Sequence, residues 1–84
     1  MARQPKVVDV PIRGDMIELH QFLKLAGVVD SGGAGKALVA AGGVKVDGIA
    51  ESRKTRKLGN GNLVEAEGAR LRVVAQPQPP QSGR

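Results

Sequence analysis

Val7, Val8, Val10 and Ile12 open the apolar pattern of the chain, a cluster of β-branched residues whose near-alternation predicts a short first strand. Pro11 marks its end, because proline has no N–H to give to a ladder. The period then changes. Met16, Leu19, Phe22, Leu23 and Ala26 recur three and four apart, as on one stripe of a helix, and Asp15 followed by Glu18 reads as a capping box. Gly27 stops that helix. A second helix opens with Asp30 or Ser31 as N-cap, sets Ala34, Ala37, Leu38 and Ala41 on one face, and ends at Gly42 and Gly43. Gly32, Gly33 and Gly35 weaken its first turn, each by up to about 1 kcal/mol relative to alanine, so a frayed or loop-like start is expected.

Beyond the helices the pattern becomes that of short strands. Val44 and Val46 flank Lys45, Asp47-Gly48 is a tight-turn signal leading into Ile49, and the ESRKTRKL segment from Glu51 to Leu58 reads as extended, giving a hairpin or a bent strand pair. Gly59 to Asn62 is a further turn, Leu63 and Val64 a strand, Glu67-Gly68 a break, and Arg70-Leu71-Arg72-Val73 an alternating run. Helices and strands are segregated along the chain. That order predicts an α+β fold, a short helix pair packed on one side of a small, mainly antiparallel sheet. Residues 6–75 form the expected single domain, with disorder expected for residues 1–5 and for the Pro/Gln-rich tail at 76–84.

With 84 residues there is room for one small domain and no separate catalytic one. Cysteine is absent, which removes disulfides, thiolate metal sites and thiol chemistry. No apolar run has the length of a secretory h-region or a membrane span, so a cytoplasmic protein with no membrane partner is expected. The net charge of +5 and the isoelectric point near 10.3 point to a polyanionic partner. A single Phe with no Trp or Tyr argues against base stacking, so a nucleic acid would be held through phosphates and shape.

Candidate chemistry is sparse. The only histidine, His20, reads as a surface residue on the polar side of the first helix, and the carboxylates are scattered, so no catalytic residue, metal or cofactor is assigned. SGGAGKA superficially resembles a phosphate-binding loop, but Asp30 stands where its first glycine belongs and Ala37 where Ser or Thr would meet magnesium. Two readings of this stretch stay open: backbone N–H groups with Lys36 holding one phosphate, or a flexible turn with a solvated lysine. Arg53, Lys54, Arg56 and Lys57 around Thr55 are the densest charge cluster, with Lys45 expected nearby. Their mutual repulsion does not help folding. In a straight strand Arg53, Thr55 and Lys57 would face one way and Lys54 and Arg56 the other, so only a bend would let them share phosphates; a merely solvated face is the alternative.

The run from Leu19 to Val46, with Ser31, Lys36, Leu38, Gly42 and Gly43, followed by VKVDG at 44–48, resembles the RNA-binding domain of the ribosomal protein S-four type, the alpha-L motif. FLKL, SGGAGK, VKVDG and ESRK occur in the order found in the small stand-alone bacterial YbcJ-type RNA-binding proteins, and GNGNLVEA is similar to the family's later turn and strand, with Asn62 where Asp is common. The resemblance implies a helix pair and adjoining hairpin that present a basic surface to structured RNA. It implies RNA contacts at Lys36, Lys45, Arg53, Lys54 and Arg56, to which Lys57 is added as part of the same cluster. Gly32 and Gly33 depart from the family pattern of Arg and other polar residues after the serine. The implied partner is structured RNA, ribosomal RNA or tRNA, with ribosome association and a monomeric, non-catalytic protein. A protein-interaction adaptor is the first alternative. A β-grasp sulfur carrier is the second, although such carriers end in Gly-Gly and this chain ends in Gln-Ser-Gly-Arg.

Overall fold

The computed structural model describes residues 6–76; the expectations for residues 1–5 and for the tail past Gln76 lie outside the described residues. The elements run β1 (Val7–Arg13), β2 (Met16–Glu18), α1 (Leu19–Leu25), α2 (Gly32–Ala40), β3 (Val44–Val46), β4 (Ile49–Ala50), β5 (Lys57–Gly59), β6 (Leu63–Ala66) and β7 (Ala69–Gln76). One sheet has the order β1-β7-β6-β3-β4, and β2 pairs with β5 in a separate ribbon. This is the α+β architecture expected, and the sheet is mixed: β1 runs parallel to β7, while the other pairs are antiparallel.

Alternation places the core. Val44 and Val46 on β3, Val64 and Ala66 on β6, and Leu71 and Val73 on β7 are buried on one face, where they meet Leu19, Phe22 and Leu23 of α1 and Val39 of α2. Two tight turns fold this sheet, Asp47-Gly48 and Glu67-Gly68, each with positive φ at both central residues (53° and 83°, 52° and 78°). That backbone twist matches the strands it joins.

Four local expectations are corrected. Pro11 does not end β1, which continues to Arg13; among the described strands β1 lies at the sheet edge and bonds to β7 alone, so the missing N–H can face away from the ladder. The capping box does not form, because Met16–Glu18 pairs with Lys57–Gly59 and Met16 is 61% exposed. Non-local strand pairing overrides the local cap. On α2, Ala34, Ala37 and Ala41 are exposed, and the inward residues are Gly35, Val39 and partly buried Leu38. Finally, α2 is regular from Gly32, with Ser31 as its N-cap accepting from the Ala34 N–H at 3.1 Å. Gly35 serves packing, since a β-carbon there would lie 2.8 Å from the His20 carbonyl oxygen.

Both helices end as expected. The Gly27 N–H donates to the Lys24 carbonyl and the Val28 N–H to that of Leu23, each at 3.0 Å. Gly42 and Gly43 repeat the arrangement on the carbonyls of Val39 and Leu38, at 3.0 and 3.1 Å. Among the described residues no helix is long and apolar enough to cross a membrane, and no cluster of His, Asp and Glu could hold a metal ion.

Candidate nucleic-acid interface

The basic run between β4 and β5 is neither a strand nor a loose loop. Residues 51–56 bend through a turn at 54–55, and only Lys57–Gly59 is extended, so alternate facing does not describe the cluster. The bend is held by backbone. The Leu19 N–H donates to the Arg56 carbonyl at 2.8 Å and the His20 N–H to the Lys54 carbonyl at 3.0 Å. These carbonyls satisfy the start of α1, whose N-cap residue, Glu18, makes no side-chain cap.

A carboxylate secures the same segment from below. Glu51 is 8% exposed. It accepts from the Arg53 N–H at 3.0 Å and from Arg56 Nη1 at 2.7 Å, and Arg53 Nε stands 3.7 Å away. The hydrogen bond from Arg56, followed by that from the Arg53 backbone, holds the Glu51 carboxyl below the usual carboxylate range. Glu18 plays a parallel part at the end of β2, with Oε1 2.9 Å from His20 Nε2 and Oε2 3.6 Å from Lys57 Nζ. The hydrogen bond with His20, assisted by the charge of Lys57, lowers its pKa as well. The cluster is therefore not simply self-repelling: two carboxylates are built into its base.

The six candidate residues fall into four groups. Arg53 and Lys54 project from the bend, the Arg53 side chain being 79% exposed. Arg56 and Lys57 are committed to Glu51 and Glu18, with 36% and 59% of their side chains exposed. Lys36 is exposed on α2, whose first turn packs on His20 and so lies at the same end of the helix pair as the bend. Lys45 is the fourth group, on β3. It lies between buried Val44 and Val46, on the face of the sheet turned away from the core, opposite Ala50 and Glu65 in the ladder. There it lines a shallow cleft with Glu65, Glu67 and Arg70.

His20 is a correction too: it is buried, not a surface residue, and Glu18 is the orienting partner that sequence reading did not find. Glu51 was also missed. Its signal was present, an acid opening a run of cations, but a carboxylate two and five residues before its partners fits neither the helical nor the strand pairing rule. Asn62 was better placed by the motif. It accepts from the Gly59 N–H at 2.7 Å and donates to Asp47 Oδ2 at 2.7 Å, tying the VKVDG turn to the GNGN turn.

A helix pair whose second member opens at Ser31, a following VKVDG hairpin and a basic bend folded back on α1 define the class. The S4 domain family model matches residues 10–74, and the chain belongs to this family. Escherichia coli K12 has a relative, named "Putative RNA-binding protein YbcJ", that is 44% identical over 59 residues, covering 70% of this chain and 84% of that protein. The Bacillus subtilis 168 relative named "Probable ribosome maturation protein RlbA" is 44% identical over 59 residues, covering 70% and 83%. The solution structure of E. coli YbcJ, described as revealing an alfaL motif involved in RNA-binding, superposes with a TM-score of 0.58 at 36% identity, covering 89% of this chain and 92% of that one.

Proposed function

We propose that residues 6–75 form a non-catalytic module that binds structured RNA, and that the bend at 51–57 together with the start of α2 is its contact surface. One observation carries this reading: the bend presents Arg53 and Lys54 outward while Glu51 and the start of α1 hold its backbone from within. Cations fixed in this way meet phosphates without first losing loop entropy. Lys36 and the N–H groups of Gly32 and Gly33 extend the surface, since a helix start attracts anions. Arg56 and Lys57 contribute charge while remaining tied to their carboxylates, and Lys45 on the far face is the weakest member of the set. Membership in the S4 family, and the RNA-binding description of E. coli YbcJ, support the polyanion being RNA.

The lack of aromatic rings beyond one Phe favours contacts with phosphates and 2′-hydroxyls of a folded RNA over stacking on a single strand. The name of the B. subtilis relative supports a ribosomal RNA target, with tRNA the other candidate, and so a cytoplasmic, ribosome-associated role. Binding to a duplex-containing RNA should exceed binding to an unstructured strand of equal charge, measured by fluorescence anisotropy at low salt. Equal affinity for both would overturn the shape-reading mechanism. Failure to bind any structured RNA, with stoichiometric capture of a protein instead, would make the domain an adaptor.

A further inference from the structure

His20 joins two parts of the surface described above. It lies between the bend, which takes its backbone N–H, and α2, whose Gly35 rests on its carbonyl. Nε2 is engaged with Glu18 at 2.9 Å, whereas Nδ1 is buried and has no hydrogen-bond partner among the described residues. That atom is directed at the start of α2: a β-carbon on Gly32 would lie 3.9 Å from it. At this end of α2, Ser31 takes up two of the first four N–H groups, its Oγ that of Ala34 and its carbonyl that of Gly35. The N–H groups of Gly32 and Gly33 are left for an external acceptor.

We propose that His20 couples RNA binding to proton uptake: an RNA phosphate seated on the N–H groups of Gly32 and Gly33 favours a proton on Nδ1, and the protonated ring favours the phosphate. This inference rests on the RNA-binding reading. The hydrogen bond to Glu18 engages Nε2, so Nδ1 is the nitrogen left without a partner. Nδ1 faces the positive end of the α2 dipole. A phosphate reverses the sign of that field. Because the ring lies beneath the glycine backbone, the coupling is electrostatic across bare Gly32 and needs no direct contact.

The other groups around the ring leave the direction unchanged. From β2 comes Glu18, and from β5 Lys57, 3.6 Å from Glu18. The bend contributes the Lys54 carbonyl, and α2 contributes uncharged backbone, with Asp30 before its cap and Lys36 within it as the nearest charges in sequence. These are present with and without RNA, so the phosphate is what differs between the two states. Linkage then requires reciprocity: whatever factor protonation adds to affinity, RNA adds to protonation.

The test uses the full chain and an RNA hairpin with a duplex stem, titrated at constant ionic strength at about pH 8 and about pH 6, a range within which histidine changes charge. Affinity should rise roughly fivefold or more at the lower pH, the lower end of ordinary coupling between sites. His20→Gln retains an amide that can reach Glu18 and should bind as the parent does at the higher pH, without the gain. The chain has one histidine, so its imidazole NMR signals are unambiguous, and their titration midpoint should move upward when the hairpin is added. This second measurement needs no variant and decides the matter if His20→Gln does not fold. A pH-independent affinity, an equal gain in His20→Gln, or an unmoved midpoint in the bound protein overturns the coupling and leaves RNA binding standing. No binding at either pH overturns both.

Discussion

On the open face of the five-stranded sheet, Arg70 stands 3.3 Å from Glu65 and Arg72 3.7 Å from Asp9, with the two partners of each pair similarly exposed: 28% against 35%, and 51% against 62%. In the bend at 51–57 the pairing is layered instead. Glu51 has 10% of its side chain exposed beneath an Arg53 that is 79% exposed. The first arrangement cancels charge laterally, and exposed pairs of this kind contribute about 0–1 kcal/mol. The second sinks the negative partner and leaves the positive one outermost, so the surface a polyanion meets is ordered and still basic. The number of basic residues does not distinguish the two regions; the depth of their counter-charges does.

The largest effect on this contrast comes from removing the platform beneath both regions. Leu23→Asp places a carboxylate where Leu23 is fully buried, which should cost several kcal/mol and unfold the domain, read as loss of the cooperative melt by circular dichroism. A normal melting curve would mean that α1 does not carry the core.

Two triple variants that remove equal charge then compare the regions directly. Replacing Arg53, Lys54 and Arg56 with Gln should flatten the dependence of log affinity on log salt by roughly 0.7–0.9 for each phosphate that is no longer neutralised. Replacing Lys45, Arg70 and Arg72 with Gln should flatten it less. Equal changes in slope would reduce the proposed interface to net charge alone.

Acid separates the layers from each other. Glu51 and Glu18 have pKa values lowered in the folded state, so the stability they provide is present above the unfolded carboxylate range and is lost as pH falls through their lowered values. Glu51→Gln should therefore lower the melting temperature near neutrality and narrow its gap from the parent as the solution is acidified below about pH 4. A gap that stays constant with pH would show that the Glu51 charge is not what holds the bend.

Smaller effects are expected at the ends. Ser31→Ala removes the α2 cap and should cost about 1 kcal/mol in thermal denaturation. Glu65→Gln, on the open face, should stay within about 0.5 kcal/mol.

What could be read from the sequence was mostly local. Asp47-Gly48, Gly27, Gly42 and Ser31 act through their own backbone neighbourhoods, and each behaves in the fold as its chemistry predicts. β2 could not be read in this way, because Met16–Glu18 is extended only by virtue of Lys57–Gly59, far along the chain. The burial of His20 follows from the same long-range closure. Within the candidate site, residue type revealed the cations but not their layering. Arg53 and Arg56 look identical in kind until Glu51 is seen beneath both, with 79% of one side chain exposed and 36% of the other.

The carbonyl groups of Lys54 and Arg56 that receive the α1 N–H groups belong to the main chain, and every amino acid supplies the same oxygen. Attachment of the bend is thereby separated from its chemical identity. Side chains at 53 and 54 can be exchanged, by drift or by design, without removing those acceptors, so an RNA preference could be retuned there while Glu51 and α1 continue to hold the path of the chain.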